Sequence, residues 1–151
     1  MGQVLISNKK AFRDYFLDGM WECGLELKGM EVKSLRDGGA NFADSFARIE
    51  GSQIILHNLH INPYQQASYM NVEPARPRRL LLHKREIKKI TSRMLGTSLA
   101  LIPTKIYFNA RGFAKIEIAL GKGKRLYDKR EAVKKKALDR QIARTIRTRR
   151  T

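Results

Sequence analysis

From Trp21 to Lys28 the odd positions, Trp21, Cys23, Leu25 and Leu27, are apolar, and the even ones except Gly24 are charged. A period of two marks a strand with one face buried. After Gly29 the parity reverses, with Met30 and Val32 in the apolar slots beside Glu31 and Lys33. A bulge or bend at Gly29 is the expected cause. Stretches 46–50 and 53–61 flank Gly51-Ser52 and read as a hairpin. A second hairpin joins 99–108 to 113–120 around Asn109-Ala110-Arg111-Gly112. In its last strand Ala114, Ile116, Ile118 and Leu120 alternate with Lys115, Glu117 and Ala119.

Helical spacing falls between these strands. Phe12 and Phe16 predict a short helix over 9–17. Asn41, with Asp44 three residues on, caps a single turn. Ile87, Ile90 and Met94 predict a helix over 84–95 that stops before Gly96. Residues 63–79 hold Pro63, Pro74 and Pro77 and read as a long basic loop. Three strands, a helix and two more strands is the order of the OB fold. The expected class is mainly β: an OB-like closed antiparallel barrel with about three short helices and a basic C-terminal tail.

Charge identifies the partners. The 151 residues, one domain's worth, include 31 lysines and arginines against 14 acids, for a net charge of +17. Such a surface calls for a polyanion, either nucleic acid or an acidic membrane. The single cysteine, Cys23, excludes an internal disulfide and a cysteine-built zinc site and fits a reducing compartment. The longest apolar runs are too short to span a bilayer, and residues 1–10 lack the apolar block of a secretory signal. The expected location is the cytoplasm, with no cofactor and no membrane partner.

Charge also divides the chain into a body, 1–121, and a tail, 122–151, which holds 13 basic and three acidic residues. Few large apolar side chains interrupt the tail, so burial does not offset its ordering entropy and self-repulsion. It is expected to be disordered in the free protein. Leu138, Ile142 and Ile146 nevertheless lie four residues apart, and neither Gly nor Pro follows Gly123. Phosphates that neutralise the cations would favour a helix about 40 Å long. The alternative is an amphipathic helix fixed on the body.

No catalytic constellation emerges. His57 and His60 are three apart in an expected strand and so point to opposite faces. Gly121-Lys122-Gly123-Lys124 lacks the spacing and the strand-loop-helix context of a phosphate loop. Asp128 and Glu131 sit in the tail, where nothing holds them in register for phosphodiester cleavage.

Seven motifs occur in one order: Asn8-Lys9-Lys10-Ala11, Glu31-Val32-Lys33-Ser34-Leu35-Arg36, Ala40-Asn41, Asp44-Ser45-Phe46-Ala47, His57-Asn58-Leu59-His60-Ile61, Arg78-Arg79-Leu80-Leu81-Leu82-His83-Lys84-Arg85-Glu86 and Gly123-Lys124-Arg125-Leu126-Tyr127-Asp128-Lys129-Arg130. Together they closely resemble the SsrA-binding protein family, also called small protein B or SmpB. The resemblance runs from Asn8 into the tail. It implies an OB-type barrel that grips the tRNA-like domain of transfer-messenger RNA and delivers it to stalled ribosomes for trans-translation. It also implies a tail that folds as a helix in the decoding site and the empty mRNA channel. Elongation factor Tu would be met only through the RNA. A structural ribosomal protein or a general OB-type RNA binder is the alternative.

By motif, the resemblance assigns RNA contacts on the barrel to Asn8, Glu22, Leu81, His83 and Lys115, with Lys9, Lys10 and Arg79 as further phosphate contacts. An outward lysine such as Lys115 suits a phosphate. Glu22 would accept from a base or ribose hydroxyl, or else serve an internal ion pair. Leu81, within an apolar triplet, reads as core on sequence alone. In the tail, Lys122, Lys124 and Arg125 would meet ribosomal RNA phosphates and Gly123 would act as a hinge. Tyr127 would stack on a base, and Asp128, Lys129 and Arg130 would mark the decoding-site end.

Overall fold

A computed structural model describes residues 4–42, 44–64, 73–124 and 126–149. In chain order these form β1 (Val4–Ser7), α1 (Lys9–Asp14), β2 (Tyr15–Leu25), α2 (Gly29–Arg36), β3 (Ala40–Asn41), β4 (Phe46–Glu50) and β5 (Gln53–His57). β6 (His60–Ile61), β7 (Arg78–Leu81), α3 (Lys84–Met94), β8 (Ala100–Phe108), β9 (Ala114–Gly123) and α4 (Leu126–Arg149) follow. The fold is mainly β with four helices.

Seven antiparallel strands pair in the order β1-β8-β4-β5-β7-β2-β9, and a further pairing of β8 with β9 turns the sheet into a ring. β3 and β6 make a separate short ladder. Inside the ring lie Cys23 and Leu25 from β2, Ile54 and Leu56 from β5, Leu80 from β7, Ile106 from β8, and Ile116, Ile118 and Leu120 from β9. Ile90 of α3 is buried against the same core. The alternation read in the sequence is thus an inside-outside alternation.

Four expectations need correcting. Gly29 begins a helix rather than a bulge. Burial at Glu31, Ser34 and Leu35 follows helical spacing, and the Lys28 N–H donates to Glu31 Oε1 at 3.0 Å to close the first turn. The bulge in β2 lies instead at Gly19, between Asp18 and Met20. Its φ is +71°, in the left-handed region, and an added Cβ would also meet the Trp21 ring at 2.9 Å, so the position favours glycine.

Asn41 lies in the small ladder, paired with His60, and among the described residues no helix follows it before β4. The helix expected over 9–17 stops at Asp14 because Tyr15 is already extended, with φ −132° and ψ 144°. Finally, the proline-rich stretch ends in a strand, β7, in which Arg78 and Leu80 face inward while Arg79 and Leu81 face outward.

Candidate nucleic-acid interface

The outer faces of β2, β7 and β9 meet at one point. Register places Gly24 opposite Leu81 on one side and opposite Lys115 on the other. Period two then turns Glu22 outward with Gly24, and Arg79 outward with Leu81. His83 follows β7 and starts α3, its N–H donating to Glu86 Oε2 at 3.2 Å. The result is an open groove of about 530 Å3 bounded by Glu22, Arg79, Leu81, His83 and Lys115, among others. Five of the residues assigned by resemblance are therefore brought together.

Leu81 is not core: it is 46% exposed, and its neighbour Leu80 takes the buried slot. It lies across Gly24, where an added Cβ would come within 3.0 Å of the leucine's own. Glycine at this position thus keeps an apolar floor open between charged walls. The Tyr107 hydroxyl donates to the Glu22 carboxylate. Burial first, and then the Glu22 carboxylate, hold the Tyr107 phenol well above its ordinary pKa. Glu22 has no internal ion pair among the described residues, and it keeps lone pairs for a donor from outside. Tyr107 faces Lys115 across the ladder, a contribution that no sequence motif signalled.

Of the other assigned body residues, Asn8 and Lys10 border a second cleft of about 500 Å3 between α1, the start of β4 and the end of β9. Asn8 is 7% exposed. Its carboxamide accepts from the Ala11 N–H at 3.2 Å and donates to the Pro103 carbonyl at 2.8 Å. It caps α1 and ties that helix to β8, a structural role beside the RNA contact that the resemblance implies. Lys9 and Lys10 are exposed on α1, and Lys10 Nζ lies 3.1 Å from Asp44.

The ladder between β2 and β9 continues through Lys122 and Gly123, which pair with Phe16 and Tyr15. The Lys124 N–H then donates to the Asp14 carbonyl at 2.9 Å, and its ammonium lies 4.9 Å from the Phe16 ring centre. The paired strand β9 therefore runs past residue 121, to Gly123. Gly123 has the backbone of a paired strand with open space around it, so its geometry does not call for glycine. Arg130 is exposed on α4. Arg125 and the side chains of Tyr127, Asp128 and Lys129 lie outside the described residues.

Sequence reasoning missed what fixes the groove wall. Arg78, 1% exposed, and Glu31, 4% exposed, form a buried ion pair. Arg78 Nε donates to Glu31 Oε2 at 2.6 Å, and its other nitrogens reach the carbonyls of Leu59 at 2.6 Å and Pro74 at 2.9 Å. Arg76 donates to the other Glu31 oxygen. Burial alone would raise the Glu31 pKa, but donation from Arg76, the Lys28 N–H and Arg78 holds it below the ordinary glutamate value. Burial lowers that of Arg78. The cluster joins α2, the segment before β7 and β7 itself, so it sets where Arg79 and Leu81 emerge.

Among the described residues, no three His, Cys, Asp or Glu side chains group to hold a metal ion. His57 Nε2 is 2.9 Å from Glu50 Oε1, and its ring stacks on Phe46. Burial pushes the Cys23 thiol up to about 12, far from a reactive thiolate. Among the described residues, no helix is long and apolar enough to cross a membrane.

The family model described as SmpB protein matches residues 5–148. The chain belongs to the SmpB family. An SsrA-binding protein of Moorella thermoacetica is 51% identical over 147 residues, covering 97% of this chain and 95% of that one. Its counterpart in Thermosipho melanesiensis is 52% identical over 140 residues, covering 93% and 95%. A chain in the solved structure described as "tmRNA-SmpB: a journey to the center of the bacterial ribosome" is 47% identical. It superimposes with a TM-score of 0.69 over 85% of this chain and 93% of its own length. SmpB membership thus covers the ring of strands, the groove and most of α4.

Proposed function

We propose that this chain binds the tRNA-like domain of transfer-messenger RNA and delivers it to stalled ribosomes for trans-translation, as a non-catalytic partner of that RNA in the cytoplasm. The observation that carries the reading is the convergence of Glu22, Arg79, Leu81, His83 and Lys115 in one groove. Cations at its edge suit phosphates, Glu22 suits a ribose hydroxyl, and Leu81 offers an apolar platform for a sugar or base. The names of the relatives and of the solved structure point to the same partners. The strand ring serves as an OB-like closed barrel, a rigid frame for shape recognition.

The tail completes the proposal. On α4 the apolar residues Val133, Leu138, Ile142 and Ile146 are about half exposed, so the helix gains little from burial in the isolated protein. It is unfolded when free and becomes helical in the decoding site and the empty mRNA channel, where ribosomal RNA neutralises its charge. Elongation factor Tu is reached only through the shared RNA.

Competition binding at moderate salt tests the groove. A minimal tRNA-like domain should outcompete an RNA duplex of equal phosphate count, because shape recognition persists where charge pairing fades. Equal competition would instead mark a general RNA binder. Lys115→Gln should weaken binding and reduce the slope of log affinity against log salt by about 0.7–0.9, with the thermal midpoint unchanged. An unchanged slope would remove Lys115 from the phosphate contacts.

A further inference from the structure

Where α4 passes α1, five cations surround a hollow of about 330 Å3: Lys9, Lys10 and Arg13 from α1, and Lys136 and Arg140 from α4. The apolar part of this meeting is small, Val133 and Ala137, and Val133 remains more than half exposed. Two acids answer on the α1 side, Asp14 at 3.1 Å from Arg13 and Asp44 at 3.1 Å from Lys10. Lys9, Lys136 and Arg140 have no acidic partner among the described residues. Two cationic helix faces held together over so little apolar contact repel each other unless an anion lies between them.

We propose that the notch between α1 and α4 seats a run of phosphodiesters, so that α4 docks on the body only when RNA bridges the two helices. This rests on the RNA-binding reading and adds to it a seat away from the groove, in which body and tail clamp one stretch of backbone. Spacing along α4 supports the idea. Val133, Lys136, Ala137 and Arg140 recur at three- and four-residue intervals and share one face, whereas Lys135 points to the other side of the helix.

The test uses the full chain with spin labels on Arg111→Cys and Gln141→Cys, Cys23 being buried and inert to labelling. Pulsed electron resonance should give a broad distance distribution without RNA. A twelve-nucleotide oligouridylate should narrow it to the docked distance. Lys136→Gln should raise the oligonucleotide concentration needed on the order of fivefold, while Lys135→Gln, with the same loss of charge, should leave it nearly unchanged. A narrow distribution without any anion would overturn the proposal. So would equal narrowing by inorganic phosphate at matched phosphate concentration, or equal shifts in the two variants. Narrowing by phosphatidylglycerol vesicles but not by the oligonucleotide would assign the notch to a membrane instead, and would also overturn it. If the docking fails while the groove still prefers the tRNA-like domain, only the notch is lost.

Discussion

Glu31→Ala is expected to lower the free energy of unfolding by about 3–5 kcal/mol, the cost of leaving a buried charge without its partner. Arg78 would keep its carbonyl acceptors on Leu59 and Pro74 but lose the carboxylate that neutralises it. Arg76 would lose the same carboxylate and keep the Pro77 carbonyl. Urea titration followed by Trp21 fluorescence measures the loss, since one tryptophan reports on the whole ring. Replacing both partners, as Glu31→Leu with Arg78→Met, should cost far less than the two single changes added together, because no charge is then stranded. If the losses simply add, the cluster is not the unit described above.

Acid should expose the same pair. The folded-state pKa of Glu31 is depressed, so its contribution is complete above the ordinary glutamate value of about 4.3. It is lost as the pH falls through the lowered folded value. The stability gap between the parent and Glu31→Ala should therefore be full at neutral pH and shrink below about pH 4. A gap that widens on acidification would contradict the assignment. Because β7 also forms the groove wall, Glu31→Ala should weaken RNA binding even at temperatures where the protein remains folded.

Removing residues 126–151 should abolish tagging of nascent chains on stalled ribosomes while leaving affinity for the tRNA-like domain within about threefold, roughly 0.65 kcal/mol. The position of the cut follows from the structure. Gly123 completes the ladder with Tyr15, and the Lys124 N–H caps the Asp14 carbonyl, so truncation at residue 121 would damage the body. An in vitro translation assay on a message lacking a stop codon reads tagging, and a binding titration reads affinity. Loss of both together would place the RNA contacts in the tail and defeat the division of labour between groove and helix.

Much of this protein was legible along the chain. Alternation in β2 and β9 marked their inner and outer faces, since a half-buried strand writes its orientation at period two, whereas β8 is buried from Leu101 to Thr104 without alternating. Ile87, Ile90 and Met94 located α3 to within a residue of its end. The motif order from Asn8 to Arg130 carried the family. Where a core slot holds a charged residue, that code fails. Glu31 and Arg78 occupy buried positions that a hydrophobic pattern assigns to the surface; α2 read as a strand because Met30 and Val32 alternate with Glu31 and Lys33, and the start of β7 read as a loop because Pro74 and Pro77 precede it.

Local pattern and motif order were thus enough for the charge, the partner class, the inward and outward faces of β2 and β9, and the family. The folded chain was needed to show that Leu81 is outside and Leu80 inside, and that Asn8 holds α1 in place. It alone placed Gly24, Leu81 and Lys115 in one register across three strands, and matched Glu31 with Arg78 across 47 positions of chain. The difference is one of range. Periodicity and propensity act between residues a few places apart, whereas register, ring closure and the neutralisation of a buried charge depend on groups that meet only after the chain has folded.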